Sequence, residues 1–242
     1  MFKKEKQQDI DLSAYRLTDL ATFQKPHSTF AGLYHILTKS LKDPSRSLAN
    51  PGVDEKKIIA FVSPHQLTDT ALTAANMAVS LAQQDQRVLL IDCDFYRPKL
   101  HSIFDEHNDL GIYELIEHQM HPKEVIVTTL LEKLDFLSTG IVKKGSSTIL
   151  GSNKMRYFLE KVQKYYDYIL LDLPPLNTMQ DAYIIASYSD GVLLFLESGK
   201  TTFSEAREVR EKLLTRNNNL LGTVMITPDM KSSSYYNLRK KS

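Results

Sequence analysis

Four short apolar runs punctuate the chain: Ile58-Ile59-Ala60-Phe61-Val62, Val88-Leu89-Leu90-Ile91, Tyr168-Ile169-Leu170-Leu171 and Val192-Leu193-Leu194-Phe195-Leu196. None alternates with polar residues, so each reads as a strand buried on both faces. Stretches with helical spacing lie between them. One follows the first run through residue 78, and a second, over 148–165, sets Leu150, Met155, Phe158, Leu159 and Val162 inward. A third covers 203–215, and shorter helices are expected from Ile112 to Ile116 and over 179–187. Further strands are expected at 134–139 and 222–227. Strands and helices in alternation predict an α/β fold, a doubly wound and largely parallel sheet with helices on both faces. Ligands of such sheets sit beyond the carboxyl ends of the strands. Asp92, Asp94 and Asp172 would gather there.

The polar pattern divides the rest. Residues 1–28 show no sustained period and are expected to be a mobile arm. Residues 29–54 hold a helix over 30–41, with Phe30, Leu33, Tyr34, Leu37 and Leu41 on one face, and a linker containing Pro44 and Pro51. The α/β domain is expected over 55–228, followed at 229–242 by a basic, flexible tail with Tyr235 and Tyr236. At 242 residues and 42% hydrophobic, the chain can bury one sizeable core. A net charge of +1 gives no global attraction to nucleic acid. Cys93, the sole cysteine, reads as a small buried residue in a reducing compartment. His101, His107, His118 and His121 lack the spacing of a zinc site. No apolar stretch approaches membrane-span length, so the expected location is cytoplasmic, at most peripheral on the inner membrane face through a partner.

The loop after the first apolar run carries the most information. A nucleotide-gripping loop at this place needs G-x-x-x-x-G-K-[ST], because glycines let backbone amides curl around phosphate and the lysine neutralises its oxygens. From residue 58 to residue 86 the chain contains no Gly, Lys or Arg. Leu67, Asp69, Thr70 and Ala71 stand at the gripping positions. A second set of letters, Gly199-Lys200-Thr201, lacks the first glycine and follows a late strand, so it does not replace the missing loop.

The stretches Ser63 to Ala78, Val88 to Pro98 and Tyr166 to Pro175, in this order, resemble the cytoplasmic bacterial tyrosine kinases (BY-kinases) of capsule and exopolysaccharide operons, which are similar to ParA/MinD-type P-loop ATPases. The resemblance covers residue 28 to the end. It implies a P-loop NTPase-like fold, with Asp92, Asp94 and Asp172 matching the carboxylates that hold Mg²⁺ and position the acceptor hydroxyl. It implies phospho-acceptor tyrosines in the tail, at Tyr235 and Tyr236. Its partners would be a membrane chain-length or adaptor protein and an active paralogous kinase. Gly32, His35 and Thr38 stand where the family carries charges that bridge subunits of a ring, so no stable homo-octameric ring is expected. Joined to the lost loop, the resemblance predicts a pseudoenzyme with no cofactor, acting as a scaffold in polysaccharide synthesis. Two alternatives stay open. A divergent protein-tyrosine autokinase would still use Mg-ATP, and a ParA/MinD-like positioning scaffold would need nucleotide switching.

Overall fold

The apolar runs become the middle of one sheet. The structure, a computed structural model, describes residues 17, 20–24, 26–41, 58–65, 70–143, 146–177, 179, 181–216 and 218–226. Strands β1 (Ile58–Val62), β2 (Val88–Asp92), β3 (Ile126–Thr128), β4 (Leu134–Leu137), β5 (Tyr168–Asp172), β6 (Gly191–Glu197) and β7 (Leu220–Ile226) form a sheet in the order β3-β4-β2-β5-β1-β6-β7. All neighbours are parallel except β3 and β4. Every residue of β1, β2, β5 and β6 is buried, as continuous apolar runs require.

Helices cover both faces. On one lie α1 (Ala21–Gln24), α2 (Thr29–Leu41), α3 (Thr70–Ala82) and α4 (Leu100–Phe104). On the other lie α5 (Ile112–Glu117), α6 (Pro122–Val125), α7 (Asn153–Val162), α8 (Asp181–Ala186) and α9 (Phe203–Thr215). Helix α3 is buried almost all round, because its alanines let the sheet approach one side and α1 with α2 the other. Phe61 meets Phe195 edge to face at 5.5 Å beneath it.

Several expectations change. The mobile arm drawn to residue 28 is too long: Leu17 and Leu20 are buried against α3, and Asn76 Oδ1 accepts from the Thr22 amide at 3.3 Å and its hydroxyl at 3.0 Å. The apolar face of α2 is rotated, leaving Leu33 52% exposed while Ala31, Thr38 and Leu41 are buried. Thr38 faces inward because Gln84 Nε2 donates to its hydroxyl at 2.8 Å. The helix expected over 148–165 breaks at Gly151, and α7 begins afresh with Ser152 Oγ accepting the Met155 amide at 3.2 Å. The strand expected over 134–139 stops at Leu137, since the carbonyls of Ser138 and Thr139 turn to accept the α5 amides of Ile112 and Tyr113. β7 starts two residues earlier than expected and α8 is shorter than 179–187. Leu67, Asp69, the linker after Leu41 and the tail with Tyr235 and Tyr236 lie outside the described residues.

Candidate functional site

Parallel strands bring their carboxyl ends to one edge. There Asp92 of β2 is paired in register with Asp172 of β5, and Phe61 of β1 lies on the other side of Asp172. Asp92 is 1% exposed and fully engaged. Its Oδ1 accepts the Asp94 amide at 3.0 Å, and its Oδ2 accepts the amides of Lys99 and Leu100, each at 3.1 Å. These bonds fold the segment after β2 back onto the strand end. Asp94 Oδ1 accepts the amides of Tyr96 and Arg97 at 3.1 Å, an Asx turn inside that loop. Arg97 therefore meets Asp94 through its amide. Asp172 differs from both: its side chain accepts no hydrogen bond among the described residues.

Beyond β1, Ser63 Oγ donates to the His65 carbonyl at 2.6 Å, while the Ser63 and Pro64 carbonyls accept amides from Leu176 and Asn177. Thr70 opens α3 with its hydroxyl buried and unpartnered among the described residues. These elements enclose a cleft of about 320 Å³, open to solvent, lined by Ser63, Thr70, Ala71, Asp94, Arg97, Lys99, Asp172, Leu173 and Pro175.

Burial raises the affinity of all three carboxylates for protons, and their mutual repulsion adds to it in the buried pair. Asp172 is held well above the ordinary carboxylate range by burial, then by Asp92 and Asp94, with Lys99 opposing. Asp92 is pushed up to about 7 by burial and Asp94, against three backbone amides. Burial raises Asp94 too, opposed by the amides of Arg97 and Tyr96 and by the charges of Lys99 and Arg97. Between them, the Cys93 thiol is driven up by burial and the three carboxylates, which keeps it neutral and unreactive. Arg97 and Lys99, which line the same cleft, add positive charge beside these carboxylates.

Thr70, Ala71, Asp94 and Asp172 come together as expected, with Asp92 beneath them. Among the described residues, no group of three His, Cys, Asp or Glu side chains is disposed to hold an ion. Asp92 spends both oxygens on amides, so Mg²⁺ would find no ready-made ligand trio. Gly199-Lys200-Thr201 is a strand-to-helix turn. Gly199 takes φ 81°, Lys200 Nζ lies 2.7 Å from Glu197 Oε1, and Thr201 Oγ1 accepts the Glu197 amide at 3.1 Å. His121 caps α6 through Nδ1, and His118 lies edge-on to Tyr113, both local structural roles. Lys99 was missed in the sequence, although a lysine one residue past Pro98, beside a strand-end carboxylate, was a usable signal. His65, 3.2 Å from Glu205 across the rim, left none.

This fold and strand-end cleft define a P-loop NTPase-like α/β domain, and an AAA domain family matches residues 57–214. The chain belongs to the bacterial tyrosine kinase family. It is 32% identical over 164 residues to the tyrosine-protein kinase YwqD of Bacillus subtilis, covering 68% of this chain and 69% of the relative. It is 26% identical over 172 residues to the tyrosine-protein kinase CpsD of Streptococcus agalactiae, covering 71% and 75%. The crystal structure of the chimerical protein CapA2B2 shares its fold, with a TM-score of 0.78 at 23% identity over 87% of this chain and 90% of that one.

Proposed function

We propose that this BY-kinase family member is a pseudoenzyme that acts as a regulatory scaffold in capsular or exopolysaccharide synthesis. One observation carries the reading: β1, the loop after it and α3 contain no glycine, lysine or arginine. Phosphoryl transfer is catalysed almost wholly by positioning and charge stabilisation, and this segment supplies neither an amide-rich glycine loop nor its lysine. The engagement of Asp92 with three amides supports it, since a carboxylate so used serves the loop and not an ion. The retained sheet and mouth suit protein recognition. The proposed partners, as the family resemblance implies, are a membrane adaptor and an active paralogous kinase. Among the described residues no helix is long and apolar enough to cross a membrane; the proposed membrane association runs through such a partner. A closed homo-octamer is not expected, because Thr38 is buried and Gly32 and His35 carry no bridging charge.

A divergent tyrosine autokinase is the second reading. Arg97 and Lys99 in the cleft favour it, since they bring the cations that the β1–α3 segment lacks. Deletion of the gene, followed by complementation with wild type and with Asp172→Asn, separates the two. Asp172 has no hydrogen bond to lose among the described residues, so the variant is expected to keep its fold while losing the carboxylate. Restored polymer yield supports the scaffold; failure of a folded, normally abundant variant returns the enzyme.

A further inference from the structure

We propose that the outer face of α7, with the turn that closes it, is a docking surface for an anionic membrane. The contact is direct, and it adds to the partner-mediated association proposed above without depending on it. Helix α7 buries Met155, Phe158, Leu159 and Val162 against the sheet. That leaves Lys154, Arg156, Tyr157, Glu160 and Lys161 exposed on its other side, with Lys164 and Tyr165 exposed in the turn that follows. Four cations therefore stand against one carboxylate. Glu160 lies 3.6 Å from Arg156, and the three lysines have no acidic partner among the described residues. Lys154 Nζ donates to the Ile116 carbonyl at 3.3 Å, and Lys161 Nζ sits 4.9 Å over the Tyr157 ring. Helix α9 shows the contrast. Its three cations and three carboxylates balance, and two pairs close within it, Arg207 with Glu211 at 2.8 Å and Lys212 with Glu208 at 2.6 Å.

The chemistry of the face selects its partner. Lysine is a point charge on a flexible stem and suits a diffuse negative surface, whereas recognition of one carboxylate or phosphate on a protein favours arginine forks, and the single arginine here faces Glu160. Tyr157 and Tyr165, 60% and 69% exposed, are the bulky side chains among those lysines. A tyrosine joins an apolar body to a polar tip, the combination enriched where protein meets lipid headgroups. A protein interface is anchored instead by bulky side chains filling desolvated pockets, and the exposed side of α7 carries no aliphatic residue to build one. Basic residues beside an anionic leaflet each add a several-fold gain in partition, and they act together when carried on one face. None of these side chains lines the strand-end cleft, so the two surfaces are distinct.

The chain has no tryptophan, so Tyr157→Trp places a single fluorescent reporter on this face. The full chain carrying it is titrated with vesicles of phosphatidylcholine, alone or with about 30% phosphatidylserine, and wild type is sedimented with the same vesicles. A blue shift and co-sedimentation are expected with the phosphatidylserine vesicles only, both weakening as salt is raised. Lys161→Gln/Lys164→Gln should lower the partition coefficient about 30-fold at low salt, roughly fivefold for each lysine. Arg210→Glu, exposed on α9 and equal in its change of net charge, should lower it by less than about threefold. All these substitutions fall on exposed side chains, and unchanged thermal unfolding checks the fold. The proposal is overturned if the chain ignores phosphatidylserine vesicles, if it binds phosphatidylcholine equally, or if it sediments while the tryptophan emission stays unmoved. It is equally overturned if the lysine substitutions act no more strongly than Arg210→Glu. Emission shifted by polyglutamate but not by vesicles would overturn it too, assigning the face to an acidic protein.

Discussion

Replacing Asp172 by Asn should stabilise the protein above neutral pH and leave it unchanged in mild acid. The carboxyl group is buried, in register with Asp92, and accepts no hydrogen bond among the described residues, so the substitution removes an ionisable group without removing a bond. A carboxyl whose folded-state pKa is raised binds its proton more tightly when folded. Its contribution is therefore fully favourable below the unfolded-state pKa and is lost progressively as pH rises towards the folded-state value. Asp92 alone, pushed up from 3.8 to about 7, implies a loss on the order of 4 kcal/mol across that window. Asp172 is displaced in the same direction, and the two share one repulsion, so their losses cannot be added. Neutralising Asp172 relieves that shared part at the expense of burying an amide, leaving a net gain of roughly 2 kcal/mol at pH 8. For a domain of this size that is a rise in Tm of about 4–8 °C. Urea unfolding of wild type and variant at pH 5 and pH 8, with a chelator present, measures it. Equal stability differences at both pH values, or a variant weaker at pH 8, would refute the account of a buried, mutually repelling pair with raised proton affinity.

Two further perturbations probe the frame around the mouth. Glu114, 8% exposed, accepts the amides of Gly111 and Ile141 and so ties α5 to the segment after β4; Glu114→Ala should cost about 1–3 kcal/mol in urea midpoint experiments, since it orphans the buried Gly111 amide and loses the bond from the more exposed Ile141. Asn76→Ala removes the acceptor of both Thr22 bonds and should release residues 17–24, seen as new proteolytic cleavage there with a loss of about 1–2 kcal/mol.

The strands were legible because burial on both faces demands unbroken apolar runs; α9 falls at the bounds expected from the sequence, and β6 extends its apolar run by one residue at each end. What escaped was set by packing. Leu33 fits the helical period as well as Tyr34 does, yet α2 turns Ala31 and Thr38 towards α3, where Gln84 waits for the threonine hydroxyl. Leu17 and Leu20 sit in a polar stretch too short for any period to register. β3 has three residues, only partly buried or exposed, and exists through its pairing with β4. At the site, Asp92 and Asp172 could be placed because both close apolar strands. Their raised proton affinity could not, because it depends on depth and on register across β2 and β5. Lys99 reaches the cleft only because Asp92 draws its amide, and that of Leu100, back to the strand end.

The central claim, that the mouth no longer grips nucleotide, is tested most directly by titrating the full chain with Mg-ATP and Mg-ADP in a calorimeter, with thermal unfolding followed in parallel. The account predicts no saturable heat and no shift in unfolding at millimolar nucleotide. Saturable binding would contradict it, accompanied by stabilisation of about 2.7 kcal/mol once nucleotide reaches a hundredfold excess over Kd, and would identify Arg97 and Lys99 as the replacement for the lost loop.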